Sequence, residues 1–160
     1  MNDLFRDLRS WFSNAGKVVI VGVGNPIRKD DNVGVEVIKR LEGKVSDSVY
    51  LIESETVPEN FLQEIVELKP THVLVIDAAV MNLKPGEARL VEPGEMGGYA
   101  VSTHNLPLKI FLDYIRENAG SKVALLAVQP KDVSLGEGLT ETLVEASKRI
   151  AENIRTILSK

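Results

Sequence analysis

Three runs of uninterrupted apolar residues constrain this chain more than any other feature: VVIVGVG from Val18, VLVI from Val73 and VALLAV from Val123. A strand with one wet face alternates apolar and polar residues, so an unbroken run of β-branched and aliphatic side chains predicts a strand covered on both faces, as in a parallel sheet. Between these runs lie helical spacings. Asp31 to Leu41 carries Val33, Val35, Val37, Ile38 and Leu41. Pro58 to Leu68 opens with proline in its first turn, and Leu106 to Asn118 repeats through Leu108, Ile110, Phe111 and Ile115. A closing helix is predicted from Leu139 through Leu143, Ala146, Ile150, Ile154 and Ile157. A further strand is expected over Ser48 to Ile52, and GEARLVEP after the turn Asn82 to Gly86 is expected as an antiparallel edge.

Parallel strands need crossover connections, and helices supply them. The pattern therefore predicts a three-layer α/β/α domain with a mostly parallel sheet of about five strands and one antiparallel edge strand. Leu4, Phe5, Leu8, Trp11 and Phe12 predict a short amphipathic helix before it. Residues 1–16 are thus read as an N-terminal helical extension, which packs or self-associates, and residues 17–160 as one domain. A length of 160 residues suits one core better than two.

The net charge of −4 argues against nucleic-acid and membrane-surface partners, both of which select basic faces. No apolar run reaches membrane-spanning length and the N-terminus lacks a secretory pattern, so a cytoplasmic protein is expected. The absence of cysteine removes disulfides, thiolate metal sites and cysteine nucleophiles together. Chemistry is left to Asp, Glu, His, Ser and Thr.

In an open parallel sheet the ligand lies beyond the carboxyl ends of the strands. The residues there are Asn25 to Asp31, Glu53 to Thr56, Asp77, Ser102 to Asn105, and Gln129-Pro130. Asp30 and Asp31 precede a helix, where one aspartate serves as a cap. Two exceed that need, and Asp31 is the candidate cation ligand. Asp77 ends a buried strand, where a carboxylate is costly unless paired, hydrogen-bonded or bound to a cation. His104 is the candidate imidazole, whereas His72 begins the strand that Asp77 ends and is expected to be structural. Two carboxylates and one imidazole balance a divalent cation and leave positions open for water or substrate.

The segments GVGNPIRKDDNVG, VPEN from Val57, LVIDAAVMNLKPGEARL from Leu74, STHNLPL from Ser102 and AVQP from Ala127 together resemble one family. It is that of the endopeptidases that mature the large subunit of nickel-iron hydrogenases, and within it the hydrogenase 3 type. The resemblance runs from about residue 18 to the last strand. It implies a nickel-dependent peptide hydrolase that removes a C-terminal extension from the large-subunit precursor after nickel insertion. Asp31, Asp77 and His104 fall on the positions that the family uses as nickel ligands and catalytic residues. Nickel is delivered in the substrate and no organic cofactor is implied. Either the cation activates water and the scissile carbonyl, or it positions the substrate while a carboxylate acts as general base, so the protease is of metal-dependent or aspartyl type. The protein is expected as a monomer or as a weak oligomer associating through its N-terminal helix.

Two departures from the family pattern stand out. Asn32 replaces a common glycine, a change asparagine tolerates through its access to left-handed backbone angles. Ser54-Glu55 replaces paired glycines after the second strand, where Glu55 could crowd or recharge the substrate groove. Two other readings compete. A non-cleaving, nickel-dependent chaperone of the precursor would use the same ligands. A nucleotide-binding domain would use Gly22 and Gly24, with Glu53 or Glu55 on a ribose, but it lacks the third glycine at Ile27 and would set Asp30 and Asp31 against a pyrophosphate.

Overall fold

The computed structural model describes residues 3–96 and 107–159. The first apolar run forms β1 (Val18–Val23), the second β3 (His72–Ala78) and the third β5 (Lys122–Val128); β1 and β3 are buried along their whole length. With β2 (Val49–Glu55) and β4 (Ala88–Val91) they make a five-stranded sheet in the order β2-β1-β3-β5-β4. All neighbours pair in parallel except β4, which runs antiparallel to β5 at one edge. The expected architecture is the one observed.

Alternate residues of the buried strands feed two cores. Val18 and Ile20, Leu74 and Ile76, and Leu126 and Val128 face a layer built by α1 (Leu4–Trp11), α2 (Val33–Leu41) and α6 (Glu141–Leu158). Val19, Val21, Val73, Val75, Val123 and Leu125 face α3 (Leu62–Leu68) and α5 (Leu108–Ala119). A short α4 (Pro93–Met96), which the apolar spacing does not reveal, follows β4. Two helical segments also open more tightly than expected, with 3-10 turns at Lys29–Asn32 and Pro58–Phe61 ahead of α2 and α3. No helix among the described residues is long and apolar enough to cross a membrane.

Valine-rich α2 is helical because burial outweighs its weak intrinsic preference. Val33, Val37, Ile38 and Leu41 are all inside the core. The helix lies so close to the sheet that a Cβ on Gly34 would stand 2.1 Å from the Ile76 carbonyl oxygen, and one on Gly22 would stand 2.4 Å from the Gly34 carbonyl oxygen. Glycine is required at both positions by contact.

α1 is packed into the first core through Leu4, Leu8, Trp11 and Phe12. Trp11 and Phe12 close over His72, with the Trp11 and His72 ring centroids 5.1 Å apart in an edge arrangement. Thr71 Oγ1 lies 2.8 Å from His72 Nδ1, and Lys122 Nζ donates to the Trp11 carbonyl. Burial, and next the Lys122 charge, hold the His72 imidazole below its ordinary pKa. A histidine kept neutral by folding takes up a proton more readily when unfolded, so its contribution to stability is complete above its unfolded pKa and is lost as pH falls through the folded one. Urea unfolding is therefore expected to show a midpoint that declines between about pH 7 and pH 5, a decline that His72→Gln diminishes. An identical slope in both proteins would assign the pH dependence elsewhere.

Candidate active site

The order of strands decides where the site lies. From β1 the chain moves outward to β2, then returns across to β3 on the other side of β1. The carboxyl ends of β1 and β3 therefore flank a topological switch point, the place where an open α/β sheet leaves a crevice. Asp31 enters from the loop after β1, and Asp77 is the penultimate residue of β3.

Asp77 is fully buried, on the strand face it shares with Val73 and Val75, and its Oδ1 accepts the Ala78 N–H at 2.9 Å. Asp31 is 1% exposed and belongs to the 3-10 turn Lys29–Asn32, which lies against β3. Two buried carboxylates thus belong to separate segments that pack against each other, the turn Lys29–Asn32 and β3. The third candidate, His104, lies outside the described residues, as do Ser102, Thr103 and Asn105. Among the described residues no group of three His, Cys, Asp or Glu side chains is arranged to hold a metal ion. Asp31 and Asp77 supply hard oxygen donors, which suit a divalent cation but form only part of a shell.

The two adjacent aspartates have different surroundings. Asp30 Oδ2 accepts the N–H groups of Lys131 and Asp132, both at 3.0 Å, while Oδ1 accepts the Thr140 N–H at 2.8 Å. The Thr140 hydroxyl, 2.9 Å from Oδ2, completes the set. Thr140 occupies the N-cap position of α6, yet its side chain serves Asp30 and not its own helix. Asp30 is therefore a cross-link between the loop after β1 and the loop after β5, more than 100 residues along the chain.

The same two loops are tied again on either side. The N–H of Lys29 donates to Gly136, the N–H of Asp30 to Asp132, and the N–H of Gly136 to Ile27. Arg28 reaches the Val133 carbonyl. Lys29 pairs with Asp132 at 3.1 Å. Hydrogen bonds from the Ser134 hydroxyl and N–H, then the Lys29 ammonium, hold the Asp132 carboxyl down to about 2. Lys29 itself sits at φ +44°, a left-handed conformation that costs a non-glycine residue about 1 kcal/mol. Arg28 and Lys29 are both engaged in this clamp.

Asn32 needs no left-handed angle: its φ is −90°. The left-handed position on the neighbouring strand is Glu55, at φ +50°. It follows a register shift between β1 and β2, where Ser54 donates its hydroxyl to the Gly22 carbonyl and Gly24 donates its N–H to Glu55. The Glu55 side chain is exposed at the rim.

Gly24 also decides against a phosphate site. A Cβ there would meet the Cα and Oδ1 of Asn32 at 2.7 and 2.8 Å and the Asp31 carbonyl oxygen at 2.9 Å. The glycine admits the chain's own loop and leaves no open cradle for a pyrophosphate. Glu53 is likewise placed against Glu42, whose hydrogen bond and charge, together with burial, raise its pKa.

Gln129, which the sequence places at this edge without a role, ties two loops together there. Its Oε1 accepts the N–H groups of Met81 at 2.7 Å and Leu83 at 3.3 Å. The loop that continues from Asp77 is thereby fastened to the end of β5. The only signal in sequence is a polar residue directly after an apolar strand.

A family model described as hydrogenase maturation protease matches residues 35–157. The hydrogenase 3 maturation protease of Escherichia coli K12 is 30% identical, the match covering 85% of this chain and 87% of that protein. Among solved structures, the NiFe hydrogenase maturation protease HycI from Thermococcus kodakarensis KOD1 superposes with a TM-score of 0.89 at 37% identity, over 95% of this chain and 98% of its own. The endopeptidase HycI from Escherichia coli superposes with a TM-score of 0.78 at 29% identity, over 88% and 90% of the two chains.

Proposed function

This chain belongs to the hydrogenase maturation protease family, and from that premise we propose that it removes the C-terminal extension of a nickel-iron hydrogenase large-subunit precursor after nickel insertion. It is a peptide hydrolase. The observation that carries the reading is the placement of two buried carboxylates, Asp31 and Asp77, at the switch point between β1 and β3. Carboxylate oxygens are hard donors, and a divalent cation brought in by the substrate is the kind of partner they suit.

Asp31, Asp77 and His104 are assigned here as the residues that receive the nickel and carry the cleavage. Nickel enters as part of the substrate, with thiolates of the precursor completing a shell that two oxygens and one imidazole leave open. When bound, such an ion supplies Lewis acidity towards water or a carbonyl. The chain's own contribution is to hold the two carboxylates in fixed positions. Gln129 fastens the loop on the Asp77 side and Asp30 fastens the turn on the Asp31 side. A carboxylate positioned this way also serves as general base for the attacking water. The reaction is assigned to the cytoplasm, without nucleic acid or membrane as partner.

Incubation of the protein with nickel-loaded and nickel-free precursor tests this reading. Shortening of the loaded form alone is expected, read by mass spectrometry. Binding of the loaded form with no change in length would indicate a chaperone, and equal cleavage of both forms would remove the role of nickel.

A further inference from the structure

The mouth of the site carries an excess of exposed apolar side chains. Ile27, Val57, Val80 and Leu135 stand in the loops that follow β1, β2, β3 and β5, and Ile110 lies in the first turn of α5, whose start faces the same edge. Single exposed apolar residues are ordinary, but a concentration at one functional edge marks a contact surface.

Two of the five are held in place by the rest of the chain. Ile27 is 55% exposed and Leu135 69% exposed, and the N–H of Gly136, next to Leu135, donates to the Ile27 carbonyl at 3.0 Å. The loops bearing them are the ones fastened by the Asp30 carboxylate and by the Lys29 to Asp132 pair. A Cβ on Gly136, at φ +151°, would stand 2.6 Å from Lys29 Cε, so the loops also meet in close contact. A buried charge and a left-handed lysine are spent on fixing a ridge whose apolar tips then point to water. Preorganised apolar surface of this kind lowers the cost of ordering a partner against it.

We propose that Ile27 and Leu135 form a docking ridge for apolar side chains of the precursor polypeptide flanking the bond that is cut. This rests on the peptidase reading, because the occupant is the substrate of the site that Asp31 helps to build. The ridge continues directly into that site: Ile27 is four residues before Asp31 in the same loop. A polypeptide engaged at the Asp31 backbone lies within about 14 Å of the Ile27 backbone, the most that four residues can span. The recognised chemistry is a short extended segment with apolar side chains, and the rim carboxylate of Glu55 ends β2, on the far side of β1.

The test substitutes Ile27→Ser and Leu135→Ser, singly and together, and follows cleavage of nickel-loaded precursor. Both side chains are exposed, so the melting temperature is expected to stay at the parent value. The double variant is expected to raise KM about tenfold or more with kcat within about twofold, the signature of lost binding common to ground and transition state. Ile27→Val with Leu135→Met is expected to restore it. An unchanged KM, or a loss confined to kcat, overturns the ridge. Equilibrium binding of the same precursor, measured in an Asp77→Asn background, separates the two readings. If the parent binds but never cuts, the peptidase assignment falls, while the ridge stands or falls on whether the serine pair weakens affinity.

Discussion

Asp77→Asn is expected to abolish shortening of the nickel-loaded precursor, with a loss of about 1000-fold or more, while the protein remains folded. The amide keeps the size of the carboxylate and its Oδ1 can still accept the Ala78 N–H. What disappears is the negative charge at the tip of β3, and with it both cation ligation and any base function, effects that reach two to four powers of ten in hydrolytic sites. Asp31→Asn is expected to behave likewise, and His104→Ala with them. Rates from single-turnover cleavage and melting temperatures from calorimetry check the pair of claims. Cleavage by any one variant within tenfold of the parent would take that residue out of the site.

Asp30→Ala is expected to give the opposite phenotype to Asp31→Asn although the residues are neighbours. Removing the Asp30 carboxylate, which is fully buried, leaves the N–H groups of Lys131, Asp132 and Thr140 without their acceptor. Charge-assisted bonds of this type are the stronger class, and several lost together cost about 3 kcal/mol. For a chain of this size that corresponds to a melting temperature lower by about 10 °C. Asp30→Asn gives no rescue, since an amide NH2 would have to face N–H donors. Asp31→Asn, by contrast, is expected to leave stability within about 1 kcal/mol, as substitutions at functional carboxylates often do. Equal unfolding midpoints for Asp30→Ala and the parent would refute the cross-link as a stabilising element. The activity of Asp30→Ala at low temperature, where it is folded, is expected to fall through a raised KM, because the Ile27 and Leu135 loops lose their fastening.

Much of the fold was legible because its signals are local. The runs VVIVGVG, VLVI and VALLAV are buried on both faces, and their unbroken apolar character is the direct imprint of a covered parallel strand. The turn before GEARLVEP marked β4 as an antiparallel edge, and helical spacing located α1, α2, α5 and α6 to within two residues. The tight openings at Lys29–Asn32 and Pro58–Phe61 were not legible, since a 3-10 turn differs from an α-helical one by a single hydrogen-bond register. Short α4 carries too few residues to display a period. The tolerance of asparagine for left-handed angles is not used at Asn32; in these two loops such angles fall on Lys29 and Glu55.

The sequence by itself determined the layers, the edge at which chemistry must gather, and the short roster of acids there, because periodicity and strand-end position are properties of contiguous residues. Tertiary structure alone decided the strand order that puts Asp31 and Asp77 on the two flanks of one switch point. It also decided which member of the Asp30-Asp31 pair is a girder, and gave Gln129 its work. Those outcomes depend on hydrogen-bond partners dozens to more than a hundred residues distant, and a bond between remote groups leaves no period in the chain that makes it.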